Sequence, residues 1–463
     1  MRLRTSPPAA SALAALLVVV GLLLRLSVAL QGNPMQPYFG SGGDTAWYLA
    51  MGEGLMAGIL EGVERGFSRA GLQFVNSAYN IPPLYVIFVG VWQRIAPPDG
   101  AVIGIWISQS LLSVLTGLLT ADAARRLARS TWAGLFVLAV MMLDPSQILE
   151  PRHILTETLY ITLMTASVWA YLVWMVDVKT LRPQAALGVG VLLALGSLTR
   201  AVGIAYPLMV CAHLLWRWRA QWRRAVAAIG LLLATYFALT STWTVYNVVA
   251  WDRFLYLSDQ FFPAVWRGAT GADGQPHEND ALLLADAAPD PDCEGDCTPR
   301  ITLDLYARQA LRFITEDLTG YVSLRLSELG ESILQPHAAT TLPGESLRAL
   351  AADWARGGFT WEGLMRLVSG DDFWLKLTIY VFKYAGYGLM LIGLWRLRGR
   401  MDLALVPLSF IVYTVAIHVV LLALPRYIFP IMPMVWMLAG AALMPRARSH
   451  DESPPTAAPA PPV

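Results

Sequence analysis

Charge is what this chain of 463 residues has least of. Charged residues make up 14%, against roughly a quarter in soluble domains, while hydrophobic residues reach 56% and the mean hydropathy is +0.50. Such a composition cannot cover a water-facing surface with polar groups, so the chain reads as an integral membrane protein. Its net charge of +1 hides 34 basic and 33 acidic residues that stand apart along the chain, and no basic stripe marks a nucleic-acid partner. Cysteine is scarce as well. Three residues are too few for a disulfide framework. Cys293 and Cys297, in the polar stretch "CEGDC", are either a local disulfide in an oxidising compartment or two free thiols, and Cys211 falls in an apolar run and reads as packing. No inverted internal repeat of the transporter kind is evident.

Apolar runs, by contrast, are plentiful. They cover residues 9–30, 101–123, 132–148, 154–176, 185–198, 202–216, 225–249, 377–394, 403–424 and 427–444, most of them near the roughly 20 residues that a bilayer requires. An eleventh run, 81–95, is shorter, starts on a proline pair and carries Arg94. Basic clusters occur at Arg2 and Arg4; at Arg125, Arg126 and Arg129; at Lys179 and Arg182; at Arg217, Arg219, Arg223 and Arg224; at Arg396, Arg398 and Arg400; and at Arg446 and Arg448. The positive-inside rule puts these short connections in the cytoplasm. An even number of crossings must then separate Arg4 from Arg125. Three runs lie between them, so the 81–95 run is expected to lie in the outer interface or to re-enter.

The runs 185–198 and 202–216 are short, yet one helix through both would be about 48 Å long against a bilayer of roughly 30 Å. With basic clusters at both ends, two spans broken near Thr199, Arg200 and Ala201 are expected. The fold class is thus an all-α polytopic membrane protein with about 10 transmembrane helices. Interfacial helices are expected in the first outer loop, 31–100, and a small, mainly helical outer cap in 252–372. Residues 9–30 are expected to be a retained span and not a cleaved signal, and the Pro/Ala-rich tail 446–463 to be disordered in the cytoplasm.

Beyond the basic clusters, ionisable residues next to spans gather at the outer ends: Asp44, Asp144, Glu150, Arg152, His153, Glu157, Arg200, Arg253 and Arg426. Charges at such positions are costly unless paired or wet, which makes Glu157 and Arg200 either functional groups or an internal ion pair. Lys383, deeper in its span, pairs within the bundle or snorkels. His153 and Glu157, four apart, read as sharing one helix face, a spacing compatible with a divalent cation, although a catalytic zinc takes three protein ligands. Asp44 opens "DTAWYLAMGEGLMAG", expected to lie along the outer surface with Trp47, Leu49, Met51 and Leu55 toward lipid or bundle. Its carboxylate is a catalytic group, an N-cap, or both.

Six stretches carry a family resemblance: "GGDTAWYLAMGEGLMAG", "YNIPPLYVIF", "RHILTETLY", "LGSLTRAVGIAYPL", "TSTWTVYNVVAWDRFLYLS" and "RYIFPIMP". In this order the chain resembles GT-C superfamily glycosyltransferases, especially the branch of protein O-mannosyltransferases and lipid A aminoarabinose transferases. The resemblance implies a seven-span catalytic module (1–251), an outer cap (252–372) and three C-terminal spans (373–445), in a plasma or inner membrane with the active site facing outward. It implies an inverting transferase that moves a sugar from a polyprenyl-phosphate-linked donor to a lipid, glycan or protein acceptor. Asp44 matches the family's first-loop acid and Glu157 a second acid, while Arg200 and Arg426 match basic positions suited to the lipid phosphate. His153, Tyr48, Tyr85, Asn247 and Tyr427, which stand in the matching stretches, are expected to bind substrate. Tyr246 replaces an arginine common in relatives, which weakens the phosphate contact expected there. No cofactor is fixed, and a divalent cation remains compatible. The competing readings are a transporter or flippase of lipid-linked sugars, which would place broken helices at mid-membrane and show related halves, and a glycan ligase or polymerase that uses a diphosphate carrier.

Overall fold

A computed structural model describes residues 8–32, 44–65, 81–252, 254–270, 283 and 303–444. Arg2, Arg4, Arg253, Cys293, Cys297, Arg446, Arg448 and the tail lie outside the described residues. No strand occurs among those described.

The order begins with α1 (Pro8–Leu30), α2 (Asp44–Arg65), α3 (Leu84–Ile95), α4 (Pro98–Ala128), α5 (Thr131–Leu143) and α6 (Pro145–Leu149). It continues through α7 (Glu157–Tyr171), α8 (Ala185–Thr199), α9 (Tyr206–Arg217), α10 (Trp222–Trp251), α11 (Phe261–Thr270), α12 (Leu303–Glu316) and α13 (Leu318–Leu334). The last elements are α14 (His337–Thr340), α15 (Leu347–Arg356), α16 (Trp361–Val368), α17 (Phe373–Arg396), α18 (Met401–Val420), α19 (Pro425–Ile428) and α20 (Met432–Ala439). Seven helical stretches are long and apolar enough to cross a bilayer: Ala9–Leu30, Pro98–Ala128, Glu157–Val176, Arg219–Trp251, Phe373–Arg396, Arg398–Val420 and Pro425–Leu443. An eighth results if the pair Thr131–Leu143 and Pro145–Arg152 counts as one span. Leu84–Ile95, Ala185–Thr199 and Ala201–Arg217 are shorter apolar helices. The chain is therefore an all-α, multi-pass membrane protein.

Two expectations need correcting. The run 132–148 is not one helix, because it bends by 53° where α5 meets α6. Pro145 has no N–H to continue the ladder and forces the residue before it out of the helical region. Asp144 accordingly sits at φ −62°, ψ 117° and caps the next turn by accepting from the Ser146 N–H at 2.9 Å. Likewise, His153 does not share a helix face with Glu157. It is extended, at φ −84°, ψ 128°, after the 3₁₀ turn Glu150–Arg152, and the helix begins only at Glu157. The break expected at Thr199, Arg200 and Ala201 is present: α8 stops at Thr199, and a 3₁₀ turn, Ala201–Gly203, follows Arg200.

The bundle has two chemically different ends. At one, Arg400 donates to the Leu127 carbonyl at 2.8 Å, Arg396 donates to the Met444 carbonyl at 2.7 Å, and Arg217 pairs with Asp402 at 3.0 Å. At the other lie the start of α7, the end of α8 and the start of α19. The helix α2 is seated beside that second end. Met51 and Leu55 pack with Val86, Leu198 and Trp243, and Tyr48 and Leu49 pack on Tyr85 and Val89. Crossing is close where α2 meets α3. A Cβ on Gly90 would lie 2.5 Å from the Gly52 carbonyl oxygen, so only glycine lets the backbones approach this far. Helices α11 to α13 lie over the same end. Trp266 donates to Gln309 at 2.9 Å and stands edge-on to Tyr306, while Arg325 reaches the Leu421 carbonyl at 3.1 Å.

Candidate functional site

Between these elements lies a cavity of about 630 Å³. Asp44, in the first turn of α2, lines it together with Tyr48, Glu157, Arg200, Arg426 and Tyr427. These residues come from four segments spread over nearly the whole sequence, and helix ends bring in the charged ones. A helix start places Asp44, Glu157 and Arg426; a helix end places Arg200.

Two ion pairs organise the rim. The Arg426 guanidinium donates to Asp44 Oδ2 at 2.8 Å, with the Asp44 side chain 41% and the Arg426 side chain 24% exposed. Deeper in, Arg200 donates to Glu157 Oε1 at 2.5 Å, with Glu157 only 3% exposed. Thr156 bridges this second pair, accepting from Arg200 and donating to Glu157 Oε2, both at 3.2 Å. Tyr427 stands between the two guanidinium groups, its ring centroid 5.1 Å from Arg200 and 5.0 Å from Arg426, and its hydroxyl accepts from Arg426 at 3.2 Å. Such contacts hold a guanidinium in place while leaving some of its donors available.

Tyr48, half-buried, lines the cavity one turn along α2 from Asp44. Burial, followed by the charge of Glu157, pushes its phenol above the ordinary range, so it is a neutral hydroxyl and not a base. Tyr85 stands edge-on to Tyr48 at 5.0 Å and is turned away from the cavity, donating to Gln109 Oε1 at 2.9 Å. Asn247 is fully buried on α10, where its amide donates to the Trp243 carbonyl at 2.9 Å, and it does not line the cavity. His153 is also buried outside the cavity. It faces Glu150 at 3.6 Å and His337 across 6.3 Å between rings. Six of the nine expected site residues thus share one cavity, and Tyr85, Asn247 and His153 stand behind its wall.

Among the lining residues outside the sequence-based set, two bring a basic side chain. His418, on α18, stacks on Tyr427 at 5.6 Å and bonds the Thr414 carbonyl at 2.8 Å. Arg267, on α11, lines the cavity, and its guanidinium makes no hydrogen bond or ion pair among the described residues. The sequence signal for it was a lone arginine in the aromatic segment "FFPAVWRGAT". Val202, Ile204, Ile417, Leu421 and Leu422 give the same cavity an apolar wall. The arrangement can hold an anion against guanidinium groups, keep a carboxylate beside it, and shelter a hydrocarbon.

No protein-family model matches the chain, and no curated protein sequence matches it.

Proposed function

We propose that this protein is an inverting glycosyltransferase that uses a polyprenyl monophosphate as sugar carrier, with ten membrane crossings and the cavity on the non-cytoplasmic face. Seven long spans, the bent pair and the two short helices on either side of Arg200 would make up the ten. The arginine-rich end is cytoplasmic by the positive-inside rule, which turns the cavity outward. The observation that carries the reading is the joining of three features in one cavity: an exposed carboxylate at Asp44, the cations Arg426 and Arg267, and an apolar wall at the ends of the spans.

In the proposed reaction the isoprenoid lies along the apolar wall and its phosphate meets Arg267 and Arg426. The acceptor hydroxyl oxygen attacks the anomeric carbon from the face opposite the phosphate. Its proton passes to Asp44, the bond from anomeric carbon to phosphate oxygen breaks, and the phosphate leaves with the electron pair. Guanidinium groups stabilise the charge that grows on the departing phosphate in a partly dry site. Glu157, tied to Arg200 and Thr156, fixes that arginine's position beside the substrate. Polar groups gathered at one end, and not at mid-bundle, favour this reading over a transporter.

Binding of decaprenyl monophosphate to the purified protein, read by native mass spectrometry, tests the carrier site. The lipid should bind, its dephosphorylated alcohol should bind far more weakly, and Arg267→Gln should weaken the phosphate form by about tenfold, the worth of one charge-assisted contact. Equal binding of lipid and alcohol would remove the phosphate site. Thin-layer analysis of the lipid released during turnover separates a monophosphate carrier from a diphosphate one.

A further inference from the structure

Behind the cavity wall, Glu150, His153 and His337 place a carboxylate oxygen and two imidazole nitrogens within 4.8 Å of one another, all three residues buried. We propose that these residues bind one divalent ion of the zinc class, a site that ties the α13–α14 segment to the connection between α6 and α7. It stands apart from the glycosyl-transfer reading, because none of the three lines the larger cavity.

Distances carry the argument. His337 Nε2 lies 3.3 Å and His153 Nδ1 lies 3.6 Å from the same oxygen, Glu150 Oε2. A charge-assisted N–H···O bond would be about 2.7–2.9 Å. Ligand atoms about 2.05 Å from a tetrahedral zinc, however, stand about 3.3 Å from each other. Glu150 Oε1 and His337 Nε2 are buried with no hydrogen-bond partner among the described residues, a cost that folds avoid unless another group satisfies them. Two imidazoles and a carboxylate suit zinc and leave a fourth position for water.

The surrounding contacts hold the ligands in place. The Gln109 amide donates to the Pro151 and His153 carbonyls at 2.8 Å each, and Tyr85 orients that amide from its other side. His337 opens α14 and packs against Phe429 at 5.8 Å. These are the supports a metal site needs to fix its ligands. One contact must give way: Arg152 Nε lies 3.4 Å from His153 Nε2, and binding through Nδ1 puts the proton on Nε2, so Arg152 has to turn aside.

The test uses full-length protein in detergent, stripped with a chelator and titrated with Co²⁺. One equivalent should bind per chain, with the visible bands of four-coordinate Co²⁺, and Zn²⁺ should displace it. Glu150→Gln and His337→Gln should each weaken Co²⁺ by about 100-fold or more, the upper end of what even outer-shell changes cost. Asp44→Asn should leave metal binding unchanged, which separates failure here from failure of the transferase reading. Variants are compared as monodisperse protein by size exclusion, and if none stays monodisperse the wild-type titration decides alone. Wild-type protein that binds neither ion up to millimolar concentration overturns the proposal, as does an unaltered Co²⁺ spectrum in both variants.

Discussion

Replacing Asp44 with asparagine should abolish turnover and leave the fold intact. The first half follows from proton transfer: a positioned general base contributes roughly 10²- to 10⁴-fold, or about 2.7–5.4 kcal/mol of barrier. An amide cannot take the acceptor's proton. The second half follows from exposure. The Asp44 side chain is 41% and Arg426 24% exposed, so solvent screens their pair, and pairs of that kind contribute about 0.2–1 kcal/mol. Asparagine also keeps an oxygen that can accept from Arg426. Wild-type and Asp44→Asn proteins should therefore unfold at nearly the same temperature, while release of polyprenyl monophosphate from membrane lipid extracts falls at least about 100-fold. In cells that lack the protein, the variant should fail to restore the glycan that wild-type protein restores. A folded Asp44→Asn protein with turnover within about threefold of wild type would refute the base assignment, since that factor is well under 1 kcal/mol.

The deeper pair should behave in the opposite way. Glu157→Gln leaves Arg200 largely buried without its carboxylate, which costs about 3–5 kcal/mol, and adding Arg200→Gln should recover part of that stability. Thermal unfolding in detergent reads both, and an unshifted single variant would sink the account. Gly90→Ala should push α2 away from α3, because the new methyl would meet the Gly52 carbonyl oxygen at 2.5 Å; overpacking of this kind costs about 1–3 kcal/mol. Turnover should fall with it as Asp44 moves, whereas Gly388→Ala, which meets nothing within 4 Å inside a helix, should hold or slightly raise stability and leave turnover unchanged.

Much of the membrane architecture was legible because apolar length and arginine clusters are local signals. The break at Arg200 follows from helix length together with the basic clusters at both ends, and Asp44, Glu157 and Arg426 stand out as charges beside apolar runs. Proline chemistry at Pro145 was equally local, and it bends the 132–148 run that hydropathy alone joins. What stayed hidden depends on pairing across the sequence. Arg426 meets Asp44 across 382 positions, a pairing with no local mark, whereas the Arg200–Glu157 pair, 43 positions apart, is one of the two readings that charges beside spans allow. His153 was assigned to Glu157 by the arithmetic of a helix that begins only after it, and its true neighbours, Glu150 and His337, are set by a 3₁₀ turn and by a helix from the α13–α14 segment. Arg267, a lone arginine in an aromatic segment, carries no local mark of facing a cavity.

The two acids differ in what surrounds them, and in the proposed reaction that difference separates their roles. A base must shed its partner's hold when the acceptor arrives, and a carboxylate in a screened pair at the cavity mouth can do so at little cost. Glu157 cannot: Arg200 and Thr156 engage both of its oxygens, and little water reaches it. Tyr427 then couples the two sites physically, because one ring supports both guanidinium groups. Removing that ring should loosen Arg426 more than Arg200, since Arg426 also donates to its hydroxyl, whereas Arg200 is held by the deeper acid.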